Sequence, residues 1–532
     1  MRDGKDSTKI AFVLQGGARA EEQMRYLACL HVPEGMTVDV VTVGGAGDAW
    51  CDVCRSAQAA SDAKYKVYLA PDAVLLYEPF LDHILRIFRT SPKIGLLGVL
   101  GAQQLRTDGI FAHALGIVGN VMYRTGEPLR GEAVQGAFAS VSVLAGGVLA
   151  TQRDVPWPEE FYQDADMLSM AVTIRCRGAG IRAAVPAQTE AWLLRDASSV
   201  PTEADQQTFL DTYSRELYPL VSVVIPTYER PDYFREALAS VVQQTYRNLD
   251  IFVTDNSHDE ATKRVYETEF ANDPRITYEH HPEFDAQGNW KRAIDYDNPE
   301  APYVNWLMDD DLFFPEKIAR MIDCFFECAD VTLVTSSRQL IDTQGRVLPE
   351  QPWSKPFVSE LSVLDGRETG RYILRNMKNV LGEPTTALVK KSAMHHHRLG
   401  WSGKEGKYLI SDFPTWLCVL SKGNCVYFPE PLSAFRIHDG QQQRSLKTQA
   451  ACTIGWALAL KEAIDRGVFF HDLADRRYAI LKWLLDTTSG LMHFSEDVWA
   501  RPYVKDINTI YRAMAAAMES GGPIAFDIDT GA

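Results

Sequence analysis

Residues 303–315 read Tyr-Val-Asn-Trp-Leu-Met-Asp-Asp-Asp-Leu-Phe-Phe-Pro. Residues 304–308 form an apolar run of strand length that ends in Asp309, Asp310 and Asp311, before a predicted helix. Three adjacent carboxylates repel one another, so a folded protein relieves them with a bound cation, basic partners or full hydration. Ligands of open α/β sheets bind at strand ends. The stretch therefore predicts either a site for a hard divalent ion such as Mg²⁺ or Mn²⁺, or a solvated acidic turn.

The size and composition of the chain bound its architecture and its partners. At 532 residues it is too long for one hydrophobic core, so about two to four domains are expected. Hydrophobic residues make up 46% of the chain and charged residues 23%, as in ordinary globular proteins. The formal net charge of -16 argues against a nucleic-acid binder, because Lys and Arg hold a phosphate backbone, but it permits a nucleotide ligand.

The chain carries no obvious targeting or crosslinking signal. Its first residues lack the apolar core of a secretory signal, and no run of about 18 apolar residues could span a bilayer. Cytoplasmic residence, with at most peripheral membrane association, is therefore the expectation. The nine scattered cysteines do not form a disulfide framework, and the lone Cys-x-x-Cys of Cys51 and Cys54 is interpreted as ordinary reduced thiols rather than a zinc site.

An order of predicted elements occurs twice along the chain. Apolar runs of strand length lie at residues 10–14, 38–43 and 65–69 and again at residues 221–225, 249–254 and 304–308. Both halves follow the order strand, helix, strand, acidic or Gly-rich turn, strand, Asp, helix, which predicts tandem copies of one α/β domain. Asp72 stands alone where the second copy has three aspartates. We therefore predict a degenerate, non-catalytic domain at residues 1–215 and a catalytic domain at residues 216–444.

From residue 445 onward the apolar residues recur at helical spacing. Residues 445–532 are predicted to form an appendage of about three helices, with a disordered Gly-rich, acidic tail from Gly521. The helices could cover the catalytic domain, bind the acceptor or bind a second subunit, and a homo-oligomer is compatible with the sequence.

Residues 221–443 contain six short motifs that follow one another in a set order. They are Val-Ser-Val-Val-Ile-Pro-Thr-Tyr at 221–228, Val-Thr-Asp-Asn-Ser-His-Asp at 253–259, Gly-Asn-Trp-Lys-Arg-Ala at 288–293, the three aspartates at 309–311, Gly-Glu-Pro-Thr-Thr at 382–386, and Ser-Asp at 411–412 with Trp416. In this order they resemble a family 2 glycosyltransferase with the GT-A fold. The N-terminal copy is similar to a more divergent GT-A-like domain. The resemblance implies an α/β fold class: two tandem GT-A-like (Rossmann-like) nucleotide-sugar-binding domains plus a C-terminal helical appendage.

The resemblance also assigns a donor and a metal. The expected donor is a nucleoside-diphosphate sugar, with UDP favoured as the nucleotide and GDP or dTDP as alternatives. Negative charge builds up on the departing diphosphate, and a bound Mn²⁺ or Mg²⁺ neutralises it. The metal ligands implied are Asp309, Asp311 and His438, with Asp311 as the direct ligand and Asp309 or Asp310 nearer the ribose. A structural role is the alternative for His438.

The remaining donor contacts follow from the same motifs. Asp255 would accept a hydrogen bond from the base, while the Arg292 and Arg436 cations would meet diphosphate oxygens. Solvation of a helix surface is the alternative for Arg292. The residues assigned to nucleotide-sugar binding are Pro226, Thr227, Glu229, Asp255, Arg292, Asp309, Asp310 and Arg436.

Asp412 stands where the family places its catalytic base. An acceptor hydroxyl is a poor nucleophile until a base takes its proton, and attack opposite the leaving diphosphate inverts the anomeric carbon. The family has an acidic residue just before the base, but in this chain that position is Ser411, which puts a supporting role in doubt. Asp412 followed by Phe-Pro-Thr-Trp-Leu also fits a helix N-cap, and both roles are compatible.

Three functions are weighed at this stage. The first is an inverting, metal-dependent hexosyltransferase that adds a sugar to a bacterial glycan precursor, in polysaccharide biosynthesis, or to a protein. The second is a non-catalytic nucleotide- or sugar-binding protein. The third is a bifunctional enzyme with two active domains, which the solitary Asp72 disfavours.

Overall fold

The computed structural model describes residues 5–45, 47–197, 200–396, 401, 412–438 and 445–528, in two compact units, Met1–Tyr218 and Pro219–Ala532. Ser411, the residue before the proposed base, lies outside the described residues. The part of the 221–443 motif region beyond His438 does so too. Unit 1 contains strands β1 (Asp6–Gln15), β2 (Thr37–Val43), β3 (Ala63–Leu69), β4 (Val74–Leu75), β5 (Ile94–Leu97), β6 (Leu100–Gln104), β7 (Leu115–Tyr123), β8 (Pro128–Arg130), β9 (Phe138–Val141), β10 (Val143–Ala145), β11 (Val148–Thr151), β12 (Arg182–Pro186) and β13 (Leu193–Arg195). Its helices are α1 (Ala18–Leu27), α2 (Trp50–Ala60), α3 (Phe80–Thr90), α4 (Ala165–Gly178) and α5 (Glu203–Leu217).

Unit 2 contains the motif-rich region and the C-terminal helices. Its strands are β14 (Val221–Thr227), β15 (Leu249–Asp255), β16 (Ile276–His280), β17 (Tyr303–Trp306), β18 (Leu312–Phe313), β19 (Val331–Ile341), β20 (Ser362–Leu364), β21 (Leu388–Lys390) and β22 (Asn424–Arg436). Its helices are α6 (Pro231–Val242), α7 (Ala261–Val265), α8 (Ala286–Asp295), α9 (Lys317–Glu327), α10 (Gly366–Asn376), α11 (Asp412–Leu420), α12 (Leu446–Asp465), α13 (Leu473–Glu496) and α14 (Arg501–Ser520).

The main sheets of the two units share one topology. In unit 1 the strand order is β2-β1-β3-β11-β5-β12-β9, and in unit 2 it is β16-β15-β14-β17-β21-β19-β22-β18. The orders correspond over six strands, β2-β1-β3-β11-β5-β12 in unit 1 and β15-β14-β17-β21-β19-β22 in unit 2. In each, the first three strands are parallel to one another, the fourth (β11 or β21) is antiparallel to both its neighbours, and the last two are parallel to each other. The α/β prediction, with its tandem repeat, is confirmed.

Strand β14 shows why the sequence folds this way. Its apolar residues are buried, because a central parallel strand has both faces covered. The sequence predicts that this strand stops at Pro226, yet β14 continues to Thr227. Strand β17 pairs with β14 only as far as Val224, so the missing N–H of Pro226 costs no hydrogen bond on that side.

The C-terminal region is helical, as predicted, and packs into the core of unit 2. The residues of α12, α13 and α14 that face inward include Ile454, Trp483 and Ile510. The tail was predicted to be disordered from Gly521, but Ile524 is 1% exposed within the same core, because an apolar side chain there is buried by the helices. Among the described residues, no helix is both long and apolar enough to cross a membrane.

Candidate active site

The turn that follows β17 carries the three aspartates, and protein donors hold each of them. The carboxylate of Asp309, 7% exposed, accepts hydrogen bonds from the Thr227 hydroxyl at 3.0 Å and from the Tyr228 backbone N–H at 3.3 Å. Arg230 donates to both Asp309, at 3.2 Å, and Asp310, at 3.1 Å. The end of β14 therefore supplies the donors that orient the first aspartate.

The second and third aspartates face the end of β22. Asp310 lies 2.9 Å from His438 Nε2. Asp311, 1% exposed, accepts hydrogen bonds from the Thr385 hydroxyl at 2.6 Å and from the Arg436 backbone N–H at 3.1 Å. Strand β18 pairs with β22 directly after this turn, which brings these distant residues together.

Burial makes two of these carboxylates, Asp309 and Asp311, difficult to ionise. It raises the pKa of Asp309 to about 6, with a further rise from Asp310 and an opposing effect from Arg230. Burial also raises the pKa of Asp311 well above its ordinary value, and Asp310 and Glu383 add to that rise. The Arg230 guanidinium contacts two of the three carboxylates, so the carboxylates outnumber this cation, which is a condition that a bound divalent ion relieves.

A cavity of about 820 Å³ opens over the three aspartates and reaches the C-terminal helices. It brings together six of the sequence-predicted site residues: Pro226, Thr227, Asp309, Asp310, Asp311 and Asp412.

Asp412 is the first residue of α11 and is partly buried. Its Oδ2 accepts a hydrogen bond from the Asn379 side chain at 3.3 Å. Burial raises the pKa of Asp412 to about 6, backbone N–H groups at the helix start oppose the rise, and the Glu383 carboxylate adds to it. A carboxylate with this pKa is ionised at neutral pH and is more basic than a solvated one, as a general base requires.

Glu383 is a cavity residue to which the sequence analysis gave no role. It forms an ion pair with Arg338 at 3.2 Å, and its Oε1 has no hydrogen-bond partner among the described residues. Its charge raises the pKa values of both Asp311 and Asp412, so it links the two parts of the site electrostatically. Its position as the acidic residue of the Gly-Glu-Pro-Thr-Thr motif is the feature of the sequence that could have identified it as a site residue.

Two other predicted site residues do not line the cavity. Asp255 is buried and accepts hydrogen bonds from the Ser257 backbone N–H at 2.7 Å and from the Tyr278 hydroxyl. Arg292 forms a bidentate ion pair with Glu279 at 2.8 and 2.7 Å. Their predicted contacts with the base and the diphosphate stay predictions.

Three more also lie outside the cavity lining. Glu229 is exposed, with a left-handed backbone φ of 48°, and its N–H donates to the Ser257 hydroxyl. His438 pairs with Asp310, as described above. Arg436 is fully buried and donates to the Asp310 carbonyl at 2.8 Å and to the Asp342 carbonyl at 3.2 Å. The Arg436 guanidinium thus stabilises the turn that carries the aspartates through its hydrogen bond to the Asp310 carbonyl.

The charges of the cavity fit a divalent cation bound together with a diphosphate. Acidic side chains line it at Asp309, Asp310, Asp311, Glu383, Asp412 and Asp486, and Arg230 is the one cation among the described lining residues. A diphosphate would add negative charge to this site. No three His, Cys, Asp or Glu side chains of the described residues form a metal cage. Such ions commonly take one or two carboxylates and complete their shell with phosphates and water, so the residues present fit.

The corresponding place in unit 1 is filled by an internal cation. Val74 of β4 pairs with β13 as Leu312 of β18 pairs with β22, which aligns Asp72 with Asp310. The Arg195 side chain, 3% exposed, lies 3.0 Å from the Asp72 carboxylate and 2.8 Å from that of Asp166. Helix α4 carries Asp166 after β11, as α11 carries Asp412 after β21. One guanidinium therefore pairs with both carboxylates of the first copy.

Family comparisons match both units. Residues 14–213 match a family described as Glycosyltransferase like family, and residues 222–397 match Glycosyl transferase family 2. The resemblance drawn from the sequence motifs is thereby confirmed for both copies.

Individual relatives cover parts of the chain. An uncharacterized glycosyltransferase of Rickettsia typhi is 27% identical over 247 residues, which is 45% of this chain and 69% of that protein. The GalNAc(5)-diNAcBac-PP-undecaprenol beta-1,3-glucosyltransferase of Campylobacter jejuni is 29% identical over 93 residues, 18% of this chain and 30% of that protein. The chain spans less than half the length of most of the Rickettsia relatives that it matches, 19%, 39%, 39% and 43% in four cases.

Among solved structures, residues 1–349 of S. aureus TarS in complex with UDP-GlcNAc align with a TM-score of 0.36 at 14% identity. The alignment covers 58% of this chain and 94% of that one.

Proposed function

We propose, from the premise that this chain carries a glycosyltransferase-like domain followed by a family 2 glycosyltransferase domain, that unit 2 transfers a sugar from a nucleoside-diphosphate sugar to an acceptor hydroxyl. The observation that carries the proposal is the joint presence of the aspartate cluster and Asp412 on one cavity. A UDP-sugar is the proposed donor, and a bacterial glycan precursor or a protein is the proposed acceptor.

In the proposed reaction Asp412 accepts the proton of the acceptor hydroxyl. The acceptor oxygen bonds to the anomeric carbon while the bond from that carbon to the diphosphate breaks, and the electron pair leaves with the diphosphate. Attack on the face opposite the leaving group inverts the anomeric configuration. Raising the pKa of Asp412 to about 6 strengthens it as a base without protonating it at neutral pH.

We further propose that the donor diphosphate enters with Mn²⁺ or Mg²⁺, which would neutralise the charge of the leaving group. Asp310 and His438, which already face each other at 2.9 Å, are the residues best placed to hold the ion. Asp311 remains the ligand that the family resemblance implies. Asp309, tied to Thr227 and Arg230, would serve the ribose side of the donor.

Unit 1 is proposed to be non-catalytic. Its two relevant carboxylates, Asp72 and Asp166, are both paired with Arg195, whose side chain is 3% exposed, whereas the Arg230 side chain that pairs with Asp309 and Asp310 in unit 2 is 33% exposed. The place between the carboxylates of unit 1 is therefore taken by a buried cation. This charge arrangement supports one active domain rather than two.

Donor hydrolysis tests the proposed function directly. Purified protein with Mn²⁺ is incubated with UDP-, GDP- and dTDP-sugars, and release of the nucleoside diphosphate is measured. We expect one donor to be hydrolysed and Asp412→Asn to lose at least about a hundredfold in rate. The matched control is Asp232→Asn, an exposed aspartate of α6.

The alternative of a non-catalytic nucleotide- or sugar-binding protein makes a different prediction. It requires that no nucleotide-sugar is turned over and that Asp311→Ala leaves donor binding unaltered. That pair of results would replace the transferase proposal.

A further inference from the structure

The cavity over the aspartates continues beyond Asp412 to a wall that the C-terminal helices build. We call this lining, which helices α12 and α13 contribute, the helical wall: Thr448, Gln449, Cys452, Thr453, Trp456, Trp483, Asp486 and Thr487. The donor-side residues at the ends of β14 and β17 line the same cavity, as does Asp412. The proposed base therefore shares one cavity with a donor side and the helical wall.

Two observations place the helical wall beside the base. The indole of Trp456 stacks on Phe413, the residue after Asp412, with ring centroids 4.0 Å apart and planes 16° apart. Cys452 of α12 and Asp412 line the same cavity, and burial raises the pKa of the Cys452 thiol to about 12, with a further rise from the charge of Asp412. A molecule resting on the helical wall would have its reactive atom within reach of Asp412.

The helical wall combines aromatic surface with hydroxyl, thiol and amide groups and one carboxylate, Asp486, which is paired with Lys482 at 2.5 Å. None of its described residues is Lys or Arg. An acceptor recognised there through a phosphate would have no cation to meet it. An alkyl chain would leave the Thr487 hydroxyl facing hydrocarbon without a partner among the described residues, which is unfavourable for a polar group.

Thr487 gives the most specific indication of a ligand. It is 2% exposed, and its Oγ1 has no hydrogen-bond partner among the described residues. By contrast, the Trp483 indole N–H, one helical turn earlier, donates to the Thr453 carbonyl at 2.9 Å. A buried hydroxyl without a partner is costly in a native fold. A ligand hydroxyl at the helical wall would supply the missing hydrogen bond.

We infer that the helical wall is the acceptor subsite and that the acceptor is an uncharged saccharide. A sugar ring presents apolar C–H groups to the Trp456–Phe413 pair and hydroxyls to Thr487, which matches the mixed chemistry of the wall. One acceptor hydroxyl then faces Asp412, to which its proton passes as the new glycosidic bond forms and the bond to the diphosphate breaks. The inference rests on the proposed function and adds the chemical class of the acceptor to it.

The test compares Thr487→Val with Thr488→Val. The first variant removes the unpartnered hydroxyl, while the second makes the same change at a hydroxyl that already bonds to the Leu484 carbonyl at 2.8 Å and does not line the cavity. The probes are the methyl glycosides of glucose, galactose, mannose and N-acetylglucosamine. Each is supplied with the nucleotide-sugar that the wild-type protein hydrolyses, and glycoside-dependent transfer is measured beside hydrolysis without glycoside.

We expect at least one glycoside to accept the sugar. In Thr487→Val its KM rises about three- to tenfold, the effect of one hydrogen bond, and donor hydrolysis changes by less than this. Thr488→Val behaves as wild type. Trp456→Leu raises the KM of the glycoside further, and a thermal melt confirms that each variant is folded.

The other outcomes overturn the inference in distinguishable ways. Transfer to no glycoside by a protein that hydrolyses a donor would contradict the saccharide assignment and leave the proposed function standing. An unaltered glycoside KM in both Thr487→Val and Trp456→Leu would contradict the location of the subsite. Failure of the wild-type protein to hydrolyse any nucleotide-sugar would remove the proposed function itself, and the inference with it.

Discussion

At the scale of single residues, the burial that suits Asp412 to act as a base also determines its pH dependence. Its pKa is raised to about 6, so the carboxylate is mostly protonated below that pH and ionised above it. We expect kcat/KM for transfer to fall about tenfold for each pH unit below about 6 and to be level between about 7 and 8. The measurement is a pH profile at saturating Mn²⁺. A flat profile between about pH 5 and 7 would contradict the assignment of Asp412 as the base.

The same burial predicts that Asp412 is unfavourable for stability. Its pKa in the folded protein, about 6, lies above the value of 3.8 expected when it is solvated, so ionisation costs folding free energy as the pH rises through this window. Asp412→Asn should therefore raise the free energy of unfolding at about pH 7.5, by up to about 3 kcal/mol. The gain should shrink to less than about 1 kcal/mol near about pH 4, where the carboxyl is protonated in the folded protein and about half ionised in the unfolded chain.

Urea unfolding at the two pH values measures the effect. The amide oxygen of the new residue can still accept the hydrogen bond that Asn379 donates. A variant less stable than wild type at about pH 7.5 would mean that the negative charge is favourable in the fold, which is the opposite of the effect expected from burial.

At the scale of elements, the turn after β17 and the end of β22 give the three aspartates different partners, and we expect a corresponding division of roles. Asp310 faces His438, whereas Asp311 is held by Thr385 and by the Arg436 backbone. We expect Asp310→Asn to raise the Mn²⁺ concentration for half-maximal donor hydrolysis by at least about tenfold. His438→Gln should act in the same direction.

A titration of activity with Mn²⁺ for each variant checks this division, and Asp232→Asn again serves as the control. An unchanged Mn²⁺ requirement in Asp310→Asn, together with loss of metal dependence in Asp311→Asn, would return the ligand role to Asp311.

The elements themselves were largely predictable from the sequence, and their contacts were not. Strands such as β14 and β15 and the helices α12 to α14 follow from apolar periodicity, which is a local property. The pairing of Glu383 with Arg338, and of Arg292 with Glu279, depends on which side chains the sheet brings together. For that reason the sequence analysis assigned no role to Glu383 and could not foresee the pairing of Arg292 with Glu279. The predicted contact of Arg292 with the diphosphate stays a prediction.

The tail shows the same limit. Its Gly-rich, acidic composition predicts disorder, but Ile524 is buried in the core of the C-terminal helices, and Phe526 and Ile528 pack against the same core. Composition describes a segment by itself and carries no information about a groove that other elements provide.

At the scale of the whole molecule, two units with one strand order differ in how they neutralise corresponding carboxylates. In unit 2 the Arg230 side chain that pairs with Asp309 and Asp310 is 33% exposed, whereas in unit 1 the Arg195 side chain, 3% exposed, lies between Asp72 and Asp166. A divalent ion that depends on the donor could bind and leave, but a covalently attached guanidinium cannot. This difference supports the proposal that unit 2 is the catalytic copy and unit 1 a fixed structure.

The last prediction tests that contrast. Arg195→Met removes the buried cation and leaves Asp72 and Asp166 without it, so we expect a loss of stability of about 3–5 kcal/mol in unit 1. Adding Asp72→Asn and Asp166→Asn to it should recover much of that loss, because the unpaired charges are then gone. The control Arg19→Met removes an exposed pair with Asp196 and should cost at most about 1 kcal/mol.

Donor hydrolysis in Asp72→Asn should equal that of wild type, since the described lining of the active cavity comes from unit 2. Loss of one of two distinct transfers in Asp72→Asn would show instead that unit 1 is itself an active transferase.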